Sequence, residues 1–304
     1  MINYRKSHEV IILEASNKAK IMPELPEVQT VVTQLGQKVV GKKIADFWSG
    51  WPKKVIPSRK VFREGIVGAT IVSTHRHGKH IEMILDNGYS IVVHLKMTGH
   101  FLYKTPKTKN DPIFTEDKVN GYIHHILTFT DKTTLEFSDM RKFGWLALVP
   151  TEKVATLAGV VSLGVDALSP QFNTQSLTRL LEKRKHKKIG PILLEQELIA
   201  GIGNIYRSEA LFLAGILPTR KVENVTPEEL GKLVTAIKKV LREAVKLQGT
   251  TDGDFRDLEG QPGKFKRALN VYRRTGESCK KCGTIILRDK MMQRSIFYCT
   301  TCQH

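Results

Sequence analysis

Four cysteines near the carboxyl end constrain the fold of this chain more than any other feature. They form two C-x2-C pairs, Cys279 with Cys282 and Cys299 with Cys302, and residues 283–298 separate the pairs. This spacing is typical of a structural zinc site, in which two hairpins each present two thiolates to one tetrahedral ion. Because four sulfurs leave no open position for water, the metal should be structural rather than catalytic. Four unrelated free cysteines are the alternative, and the spacing disfavours it.

The balance of charged residues indicates a polyanionic partner. The chain has 304 residues with 48 Lys plus Arg against 30 Asp plus Glu, and its formal net charge is +18. Lysine and arginine contact phosphates and release counterions, so nucleic acid is the favoured partner and a solvated basic surface is the alternative. Five basic residues lie near the cysteines and favour a finger that contacts nucleic acid: Lys280, Lys281, Arg288, Lys290 and Arg294.

The apolar segments are too short for a membrane span or a secretion signal. No segment approaches the roughly 20 apolar residues of a transmembrane helix, and the apolar run at 10–13 is shorter than the core of a signal peptide. We therefore expect a cytoplasmic protein without a membrane partner, whose cysteines are reduced or metal-bound rather than paired in disulfides. No dimerisation motif occurs, and we expect a monomer.

The first half of the chain has the pattern of a β-sandwich preceded by one helix. Residues 27–40 carry apolar side chains at helical spacing, and Pro26 suits a first helical position. Residues 43–149 contain short apolar runs separated by turn residues, except for a polar loop predicted at 105–120. Strands are predicted at 66–74, 80–85, 90–95, 123–129, 134–137 and 145–149.

After residue 151 the pattern becomes helical. Thr226 and Glu229 form a capping box with Pro227 at the first helical position, and the helix is predicted to end near residue 248. Residues 249–266 combine glycine, aspartate and proline without a period, which predicts a flexible loop. Further helices are predicted at 175–184, 191–199 and 204–214.

Five short motifs, in one order along residues 22–303, resemble one known family. They are MPELPEV at 22–28, HLKMTG at 94–99, DMRKFG at 139–144, GIGNIY at 201–206 and the cysteine pattern. Each is weak alone, but the ordered set is specific, and it resembles the formamidopyrimidine-DNA glycosylases. Leu25 favours this branch over the related endonuclease VIII branch, which usually opens with Pro-Glu-Gly-Pro-Glu.

The resemblance implies an α+β fold, with an N-terminal β-sandwich and its leading helix followed by a helix–two-turn–helix domain with a zinc-finger β-hairpin. It also implies one structural zinc ion, a bacterial-type nucleoid-associated protein, and double-stranded DNA with oxidised bases or abasic sites as the partner. The predicted divisions are an extension or mis-assigned start at 1–22, a catalytic β-sandwich at 23–150, a linker at 151–170, the helix–two-turn–helix domain at 171–270 and the zinc finger at 271–304.

Pro23 is the residue on which the implied chemistry depends. A terminal proline is a secondary amine, and an α-amino group titrates near ~8, whereas lysine titrates near ~10.4, so a useful neutral fraction exists at physiological pH. Attack of this amine on the sugar C1′ expels the base and leaves an iminium. The iminium acidifies the C2′ proton and permits β-elimination and then δ-elimination.

Four further residues match catalytic positions of the family. Glu24 resembles the general acid at the sugar ring oxygen and Glu27 a second carboxylate, and the alternative for both is a charge favoured in the first turn of a helix. Lys79 matches a lysine that acts as an acid in β-elimination and holds a phosphate; a surface strand lysine is the alternative. Arg294 matches the finger arginine that contacts the phosphates flanking the lesion and is assigned to δ-elimination; a solvated hairpin charge is the alternative.

The damaged base must leave the double helix before Pro23 can reach C1′, and protein side chains must fill the gap. Met97, Arg141 and Phe143 resemble the family's filling residues. Methionine and phenylalanine are apolar wedges of the kind that separate base steps, and Arg141 can donate to the unpaired cytosine. A core strand residue is the alternative for Met97.

Four residues match other DNA-contact positions. His94 is interpreted as a phosphate contact or a satisfied core histidine, and Lys185 as a phosphate contact or part of a solvated lysine run. Asn204 begins a predicted helix, where helix-end amides and its own side chain can bind phosphate, and a simple N-cap is the alternative. Tyr122 stands where many members have a histidine that contacts DNA.

Three departures from the family pattern matter, and the replacement of the usual histidine by Tyr122 is one of them. Pro23 is preceded by other residues, and a proline nitrogen within a chain is a tertiary amide that cannot be a nucleophile, so we expect a start at Met22 or removal of residues 1–21. Gly190 stands where many members carry a lysine implicated in handling 8-oxoguanine, which leaves the preferred lesion open.

The predicted function is that of a bifunctional DNA glycosylase and AP lyase that excises oxidised purines and cleaves the strand by β,δ-elimination in base excision repair. By analogy with the family, the loop at 249–266 is expected to close over the flipped base. One alternative is an endonuclease VIII-like enzyme for oxidised pyrimidines. A second alternative is a non-catalytic lesion-binding protein, in which Pro23 stays blocked.

Overall fold

The computed structural model describes residues 22–251 and 253–304. The prediction for residues 1–22 therefore lies outside the described residues, apart from Met22. Two sheets form the N-terminal half, and helices with a terminal β-hairpin form the C-terminal half, which confirms the predicted α+β fold. Across residues 22–251 and 253–304, no helix combines the length and apolarity that a membrane span requires.

The N-terminal half consists of one leading helix, nine strands and two shorter helices. In chain order the elements are α1 (Leu25–Lys38), β1 (Ile44–Ser49), β2 (Val55–Ile56), α2 (Arg59–Ile66), β3 (Ile71–His77), β4 (His80–Leu85), β5 (Tyr89–His94), β6 (Gly99–Lys104), α3 (Pro112–Thr115), β7 (Ile123–Phe129), β8 (Thr134–Asp139) and β9 (Trp145–Pro150). The alternation of apolar and polar residues along several of these strands buries one face of each sheet.

The nine strands form a two-layer sandwich around one core. One sheet has the order β1-β7-β8-β6, and the other has the order β2-β9-β5-β4-β3. Phe101, Phe137, Ile81 and Val93 come from both sheets and belong to the same buried cluster. Leu35 from α1 joins this cluster, so the leading helix is packed onto the sandwich.

The C-terminal half contains four helices, a short parallel strand pair and a hairpin. The elements are β10 (Val165–Asp166), α4 (Thr174–Leu181), α5 (Ile189–Ile192), β11 (Ile199–Ala200), α6 (Asn204–Ala214), α7 (Pro227–Lys246), β12 (Leu287–Met291) and β13 (Arg294–Tyr298). Short 3-10 helices lie at Pro52–Lys54, Lys118–Gly121, Thr151–Thr156, Glu182–Arg184, Val222–Asn224 and Phe265–Ala268. The predicted capping box at Thr226 and Glu229 is confirmed as the start of α7.

The first residues of α1 connect the two halves. Leu25 is fully buried in the C-terminal core together with Ile202 and Ile205, whereas Val28 belongs to the N-terminal core. The amide of Leu25 donates a hydrogen bond of 3.0 Å to the carbonyl of Gly201. The residues just before α1 therefore lie at the junction of the sandwich and the start of α6.

Three predicted elements differ from the structure. The strand predicted at 66–74 begins only at Ile71, because residues up to Ile66 form helix α2, whose N-cap Ser58 accepts a hydrogen bond from the Val61 amide. The helix predicted at 191–199 is one turn, α5, followed by strand β11. Helix α1 begins two residues earlier than predicted, so Pro26 lies at its second position; a first-turn amide has no intrahelical acceptor, and proline is tolerated there.

The segment at 249–266 is irregular, as predicted, but much of it is packed against the sandwich. Leu258 is fully buried, and its carbonyl accepts a hydrogen bond of 2.8 Å from the Tyr103 amide. The side chain of Gln34 donates to Asp257 at 2.9 Å. These residues are therefore held in place. If the segment closes over the flipped base as predicted, other residues within 249–266 must move. The polar loop predicted at 105–120 contains the short helix α3.

Candidate active site and nucleic-acid interface

Glu24 lies in a buried position that two glycines make possible. It is the N-cap of α1, is 2 % exposed, and directly follows the buried Pro23. A Cβ on Gly203 would lie 2.3 Å from Cδ of Glu24, and a Cβ on Gly201 would lie 2.5 Å from Leu25. Only glycine at these two positions lets the start of α1 approach the start of α6 so closely.

The Glu24 carboxylate points at the N-terminus of α6. Its oxygens accept hydrogen bonds from the amides of Ile205 at 2.9 Å and Tyr206 at 3.4 Å. Burial raises the pKa of Glu24 above its usual value, although Lys79 and the α6 amides oppose this shift. A carboxyl that holds its proton more strongly than usual can deliver that proton to a reacting group.

Glu27 is near Glu24, as predicted, but its oxygens are already occupied. Its Oε2 accepts from the Glu24 amide at 2.8 Å, and its Oε1 accepts from the Thr250 amide at 2.6 Å and from the hydroxyl of Tyr206. Burial and the neighbouring Glu24 raise the pKa of Glu27 to about 7. The side chain thus ties α1 to α6 and to the segment that begins at Gly249.

Lys79 reaches the same junction from the turn between β3 and β4. The side chain is buried, and its Nζ donates a hydrogen bond of 3.0 Å to the carbonyl of Ile202. Burial lowers the pKa of Lys79 to about 8, and the charge of Glu24 partly opposes that shift. The alternative of an exposed strand lysine is therefore wrong.

His94 lies at the end of β5 and is 8 % exposed. Its Nδ1 accepts a hydrogen bond of 2.9 Å from the Lys96 amide, and its ring packs edge-on against His80 with 4.6 Å between centroids. Burial lowers the pKa of His94 to about 2, so the ring is neutral at physiological pH. This environment favours the core alternative, and a phosphate contact by His94 stays a prediction.

Met97, Arg141 and Phe143 meet on one surface although they come from two separate motifs. Nη1 of Arg141 lies 2.8 Å from Sδ of Met97, and Cζ of Arg141 lies 4.6 Å from the centroid of the Phe143 ring. Phe143 is 45 % exposed, so an apolar ring projects toward solvent. Asp139 fixes this loop by accepting from the Gly144 amide at 2.7 Å and from the hydroxyl of Thr98.

Two further residues predicted to contact DNA, Asn204 and Tyr122, lie beside other predicted site residues. Asn204 begins α6 and donates from Nδ2 to the carbonyl of Ser295 at 3.1 Å, which places it beside the exposed Arg294 at the start of β13. Tyr122 is 41 % exposed, and its carbonyl accepts from the Asp139 amide at 2.9 Å, so it lies beside the loop that carries Phe143.

Lys185 is exposed just beyond the 3-10 helix Glu182–Arg184. Its backbone carbonyl accepts from the amide of Glu223 at 2.9 Å. Within residues 22–251 and 253–304, no hydrogen bond or ion pair joins the Lys185 side chain to the junction.

Three residues that complete this junction were not predicted from the sequence. Tyr206 lies in the motif at 201–206, and Thr250 lies in a segment predicted only as a loop. Arg207 follows Tyr206 and is the largest of the fully buried side chains. A single cation on the predicted helix 204–214 was the available signal for Arg207, whereas no sequence pattern marks Thr250.

The four cysteines converge as their spacing predicts. Sγ of Cys279 lies 3.9 Å from that of Cys302, and Sγ of Cys282 lies 3.5 Å from that of Cys299. All four sulfurs lie within 4.8 Å of one another. Thiolates about 2.3 Å from a tetrahedral zinc ion would be about 3.8 Å apart, so these cysteines fit a bound metal ion. The alternative of four unrelated cysteines is wrong.

Comparison with known proteins agrees with this geometry. A family model described as the formamidopyrimidine-DNA glycosylase N-terminal domain matches residues 22–146, and one described as the formamidopyrimidine-DNA glycosylase H2TH domain matches residues 163–255. The chain belongs to the formamidopyrimidine-DNA glycosylase family. The resemblance is therefore confirmed, and the H2TH match covers α6, whose amides donate to Glu24.

Individual relatives in this family are similar over nearly their whole length. A formamidopyrimidine-DNA glycosylase of Pelotomaculum thermopropionicum is 40% identical over 283 residues, which cover 93% of this chain and 99% of the relative. A solved complex of a Lactococcus lactis Fpg mutant with DNA containing Fapy-dG has a TM-score of 0.83 and 30% identity and covers 93% of this chain and 100% of that chain. Another, of the Lactococcus lactis enzyme with DNA containing an abasic site, has a TM-score of 0.82 and 30% identity and covers 92% of this chain and 99% of that chain.

Proposed function

We propose that this protein is a bifunctional DNA glycosylase and AP lyase of base excision repair that removes oxidised purines. The observation that carries the proposal is the buried carboxyl of Glu24, whose pKa is raised, directly after Pro23 and within the electrostatic reach of Lys79. The family membership and the DNA-bound relatives support the same assignment. The N-terminal sandwich at 23–150, the linker at 151–170, the helical domain at 171–270 and the finger at 271–304 form its parts.

The proposed reaction begins with the Pro23 nitrogen as a free secondary amine. The nitrogen attacks C1′ of the extruded nucleotide, the glycosidic bond breaks, and the base leaves with the proton that the nitrogen gives up. Glu24 gives its proton to the ring oxygen, so the sugar opens and an iminium forms at C1′. Loss of the C2′ proton then breaks the C3′–oxygen bond, and a second elimination breaks the C5′–oxygen bond.

The remaining residues hold the DNA. Met97, Arg141 and Phe143 fill the space that the extruded base leaves, and the clustering of their side chains on one surface supports this role. The residues proposed to contact the backbone are Lys79, His94, Tyr122, Lys185, Asn204 and Arg294. Arg294 and Lys79 also assist the eliminations, and Glu27 positions Glu24 through its hydrogen bond to the Glu24 amide.

The cysteine cluster is proposed to hold one structural zinc ion. Cys279, Cys282, Cys299 and Cys302 supply the four thiolates, and the ion fixes the hairpin formed by β12 and β13. The protein is proposed to be a cytoplasmic, nucleoid-associated monomer, which agrees with its bacterial relatives.

Removal of zinc is expected to weaken DNA binding before it unfolds the rest of the chain. Each charge-assisted contact that the finger loses costs about 1.5–3 kcal/mol, which corresponds to roughly tenfold or more in affinity. The measurement is the Kd for a duplex with a tetrahydrofuran abasic analogue, before and after chelation, with circular dichroism as the control for folding. An unchanged Kd in the zinc-free protein would contradict a DNA contact by the finger.

The charge of Lys79 gives an expected dependence of DNA affinity on pH. Because burial lowers the pKa of Lys79 to about 8, the free protein loses this cation as the pH rises above that value, whereas a bound phosphate favours the charged form. Affinity for the same duplex should fall by up to about tenfold for each pH unit above 8. The variant Lys79→Arg keeps its charge and should remove this decline; equal declines in both proteins would contradict the assignment.

A panel of lesions tests the proposed activity and separates it from the second candidate. Duplexes with formamidopyrimidine, 8-oxoguanine or thymine glycol are compared in single-turnover excision. The proposal expects faster excision of the two purine lesions. Gly190 leaves the preferred lesion open, because a Cβ there would lie 2.7 Å from the Pro218 carbonyl oxygen and the backbone leaves no room for the lysine that many members carry. Faster excision of thymine glycol would establish the endonuclease VIII-like alternative, and no excision by the form beginning at Pro23 would favour a lesion-binding protein.

A further inference from the structure

Arg207 is a buried cation that forms no ion pair with a carboxylate among the described residues. The side chain lies in the first turns of α6 and is 1 % exposed. Its guanidinium donates to neutral oxygens, those of Gly190, Asn204 and Ser295, and its Nε has no hydrogen-bond partner within 22–251 and 253–304. Burial lowers the pKa of Arg207 to about 10, so it stays charged at neutral pH. The charge of Glu24 partly opposes this shift, but a buried charge without an ion pair still costs several kcal/mol, so hydrophobic packing alone does not explain this residue.

The hydrogen bonds of Arg207 set the orientation of the neighbouring Asn204 amide. Nη2 of Arg207 lies 2.6 Å from Oδ1 of Asn204, and a guanidinium can only donate. The oxygen of the amide must therefore face Arg207, and its nitrogen must face the other way. One hydrogen of that nitrogen goes to the carbonyl of Ser295 at 3.1 Å, and a second hydrogen is available because the Asn204 side chain is partly exposed.

The same guanidinium joins α6 to the terminal hairpin. Nη2 of Arg207 also donates to the carbonyl of Ser295 at 3.1 Å, so this oxygen receives hydrogen bonds from both Asn204 and Arg207. Ser295 directly follows Arg294 in β13. Nη1 lies 3.4 Å from the carbonyl oxygen of Gly190, which anchors the other end of the guanidinium at α5. Arg207 therefore restrains the backbone that carries Arg294.

We propose that Arg207 is a positioning residue that holds the Asn204 amide and the backbone of Arg294 as a clamp for one DNA phosphate. This inference rests on the proposed function only in that this face of the protein binds DNA. The donors that touch the phosphate are Nδ2 of Asn204 and the guanidinium of Arg294. The buried positive charge of Arg207 strengthens the electrostatic attraction, because the surrounding protein screens it less than water would.

A double-mutant cycle in DNA binding tests the proposal without using any chemical step. The variants Arg207→Met, Asn204→Ala and the double variant are compared with the unsubstituted protein by Kd for a tetrahydrofuran duplex over a series of salt concentrations. Arg207→Met should weaken binding about tenfold and reduce the slope of log Kd against log salt by about one, as expected for one lost phosphate contact. In the Asn204→Ala background the same change should add only about twofold, because the donor that Arg207 orients is already absent.

Two further variants separate positioning from general stability. Arg220→Met removes an arginine that pairs with Glu229 and has no contact with Asn204, so it should lower the thermal midpoint and leave the salt slope unchanged. Arg207→Lys keeps a charge and one donor and should recover part of the affinity; it also serves if Arg207→Met does not fold. Additive effects of the Arg207 and Asn204 changes, or an unchanged salt slope in the Arg207 variants, would overturn the inference while lesion binding itself persists. If the unsubstituted protein does not bind the duplex, the proposed function fails together with the inference.

Discussion

Replacement of Glu24 by glutamine is expected to slow base excision by about 100- to 10,000-fold, the usual contribution of a positioned general acid. Glutamine has nearly the same shape, and its carbonyl oxygen can still accept from the Ile205 amide; only the longer bond of 3.4 Å from the Tyr206 amide to the second carboxylate oxygen is lost. It cannot supply a proton to the ring oxygen of the sugar. The variant should therefore fold and bind DNA as before, while ring opening becomes the slow step.

The measurement for Glu24→Gln is single-turnover excision of a formamidopyrimidine duplex. A duplex with a preformed abasic site is the control, because that sugar opens to its aldehyde without help, and cleavage of this strand should be affected far less. The pH profile gives a second test. Because burial raises the pKa of Glu24, excision by the unsubstituted protein should fall as the pH rises through that pKa, and the variant should lack this fall. Excision by Glu24→Gln within about tenfold of the unsubstituted rate would contradict its role as the acid.

Residues that remain attached in front of Pro23 are expected to abolish strand cleavage at abasic sites. A proline nitrogen in a peptide bond is an amide whose lone pair is delocalised into the carbonyl, so it cannot attack C1′. The protein that begins at Pro23 should cleave, and the form that keeps residues 1–22 should cleave at the background rate. A form with one added residue before Pro23 is the matched control, because it blocks the nitrogen without the steric bulk of the longer extension. It should be as inactive as the longer form.

The outcome that would contradict this prediction is cleavage by the one-residue extension at a rate close to that of the Pro23 form. DNA affinity is measured in parallel for all three proteins. If only the longest form binds DNA poorly, steric obstruction explains its loss of cleavage. Loss of cleavage in the one-residue form, with normal binding, is then due to the amide at the Pro23 nitrogen.

The sequence predicted best those elements whose local signals agree with their tertiary surroundings. Helix α6 begins at Asn204 and ends at Ala214 as predicted, because Gly203 precedes it and Gly215 adopts a left-handed conformation at its end. Strand β7 is likewise confirmed, because it is rich in β-branched and apolar residues, and buried and half-buried positions alternate along it from His125 to Phe129. In both elements the local sequence accounts for the start, the end or the buried face.

The errors occurred where tertiary contacts override a local signal. Ile66 looks like the first residue of an apolar strand, but it is the last residue of α2 and is buried against the sandwich. The helical pattern at 191–199 stops after one turn because Gln196 turns its side chain back to accept from the Gly201 amide at 3.0 Å, and Ile199 pairs with Val165. Neither partner could be identified from the sequence around the element.

The candidate site, too, could be predicted only in part from the sequence. The motifs identified Glu24 and the four cysteines, because each lies in a short recognisable pattern, and the resemblance to the family identified Lys79. The distances between the site residues depend on hydrogen bonds between segments that are far apart in the sequence, such as those of Glu27 with Thr250 and of Lys79 with Ile202. The proposed role of Arg207 could not be predicted, because it depends on hydrogen bonds to oxygens of α5, α6 and β13, which meet only in the folded chain.

The central claim, that the nitrogen of Pro23 is the nucleophile, is tested most directly by locating the covalent bond to DNA. The protein that begins at Pro23 is incubated with abasic DNA and borohydride, the trapped complex is digested, and the modified peptide is sequenced by mass spectrometry. We expect the reduced sugar on the N-terminal nitrogen of Pro23. Attachment to the Nζ of a lysine such as Lys79, with Pro23 unmodified, would contradict the mechanism.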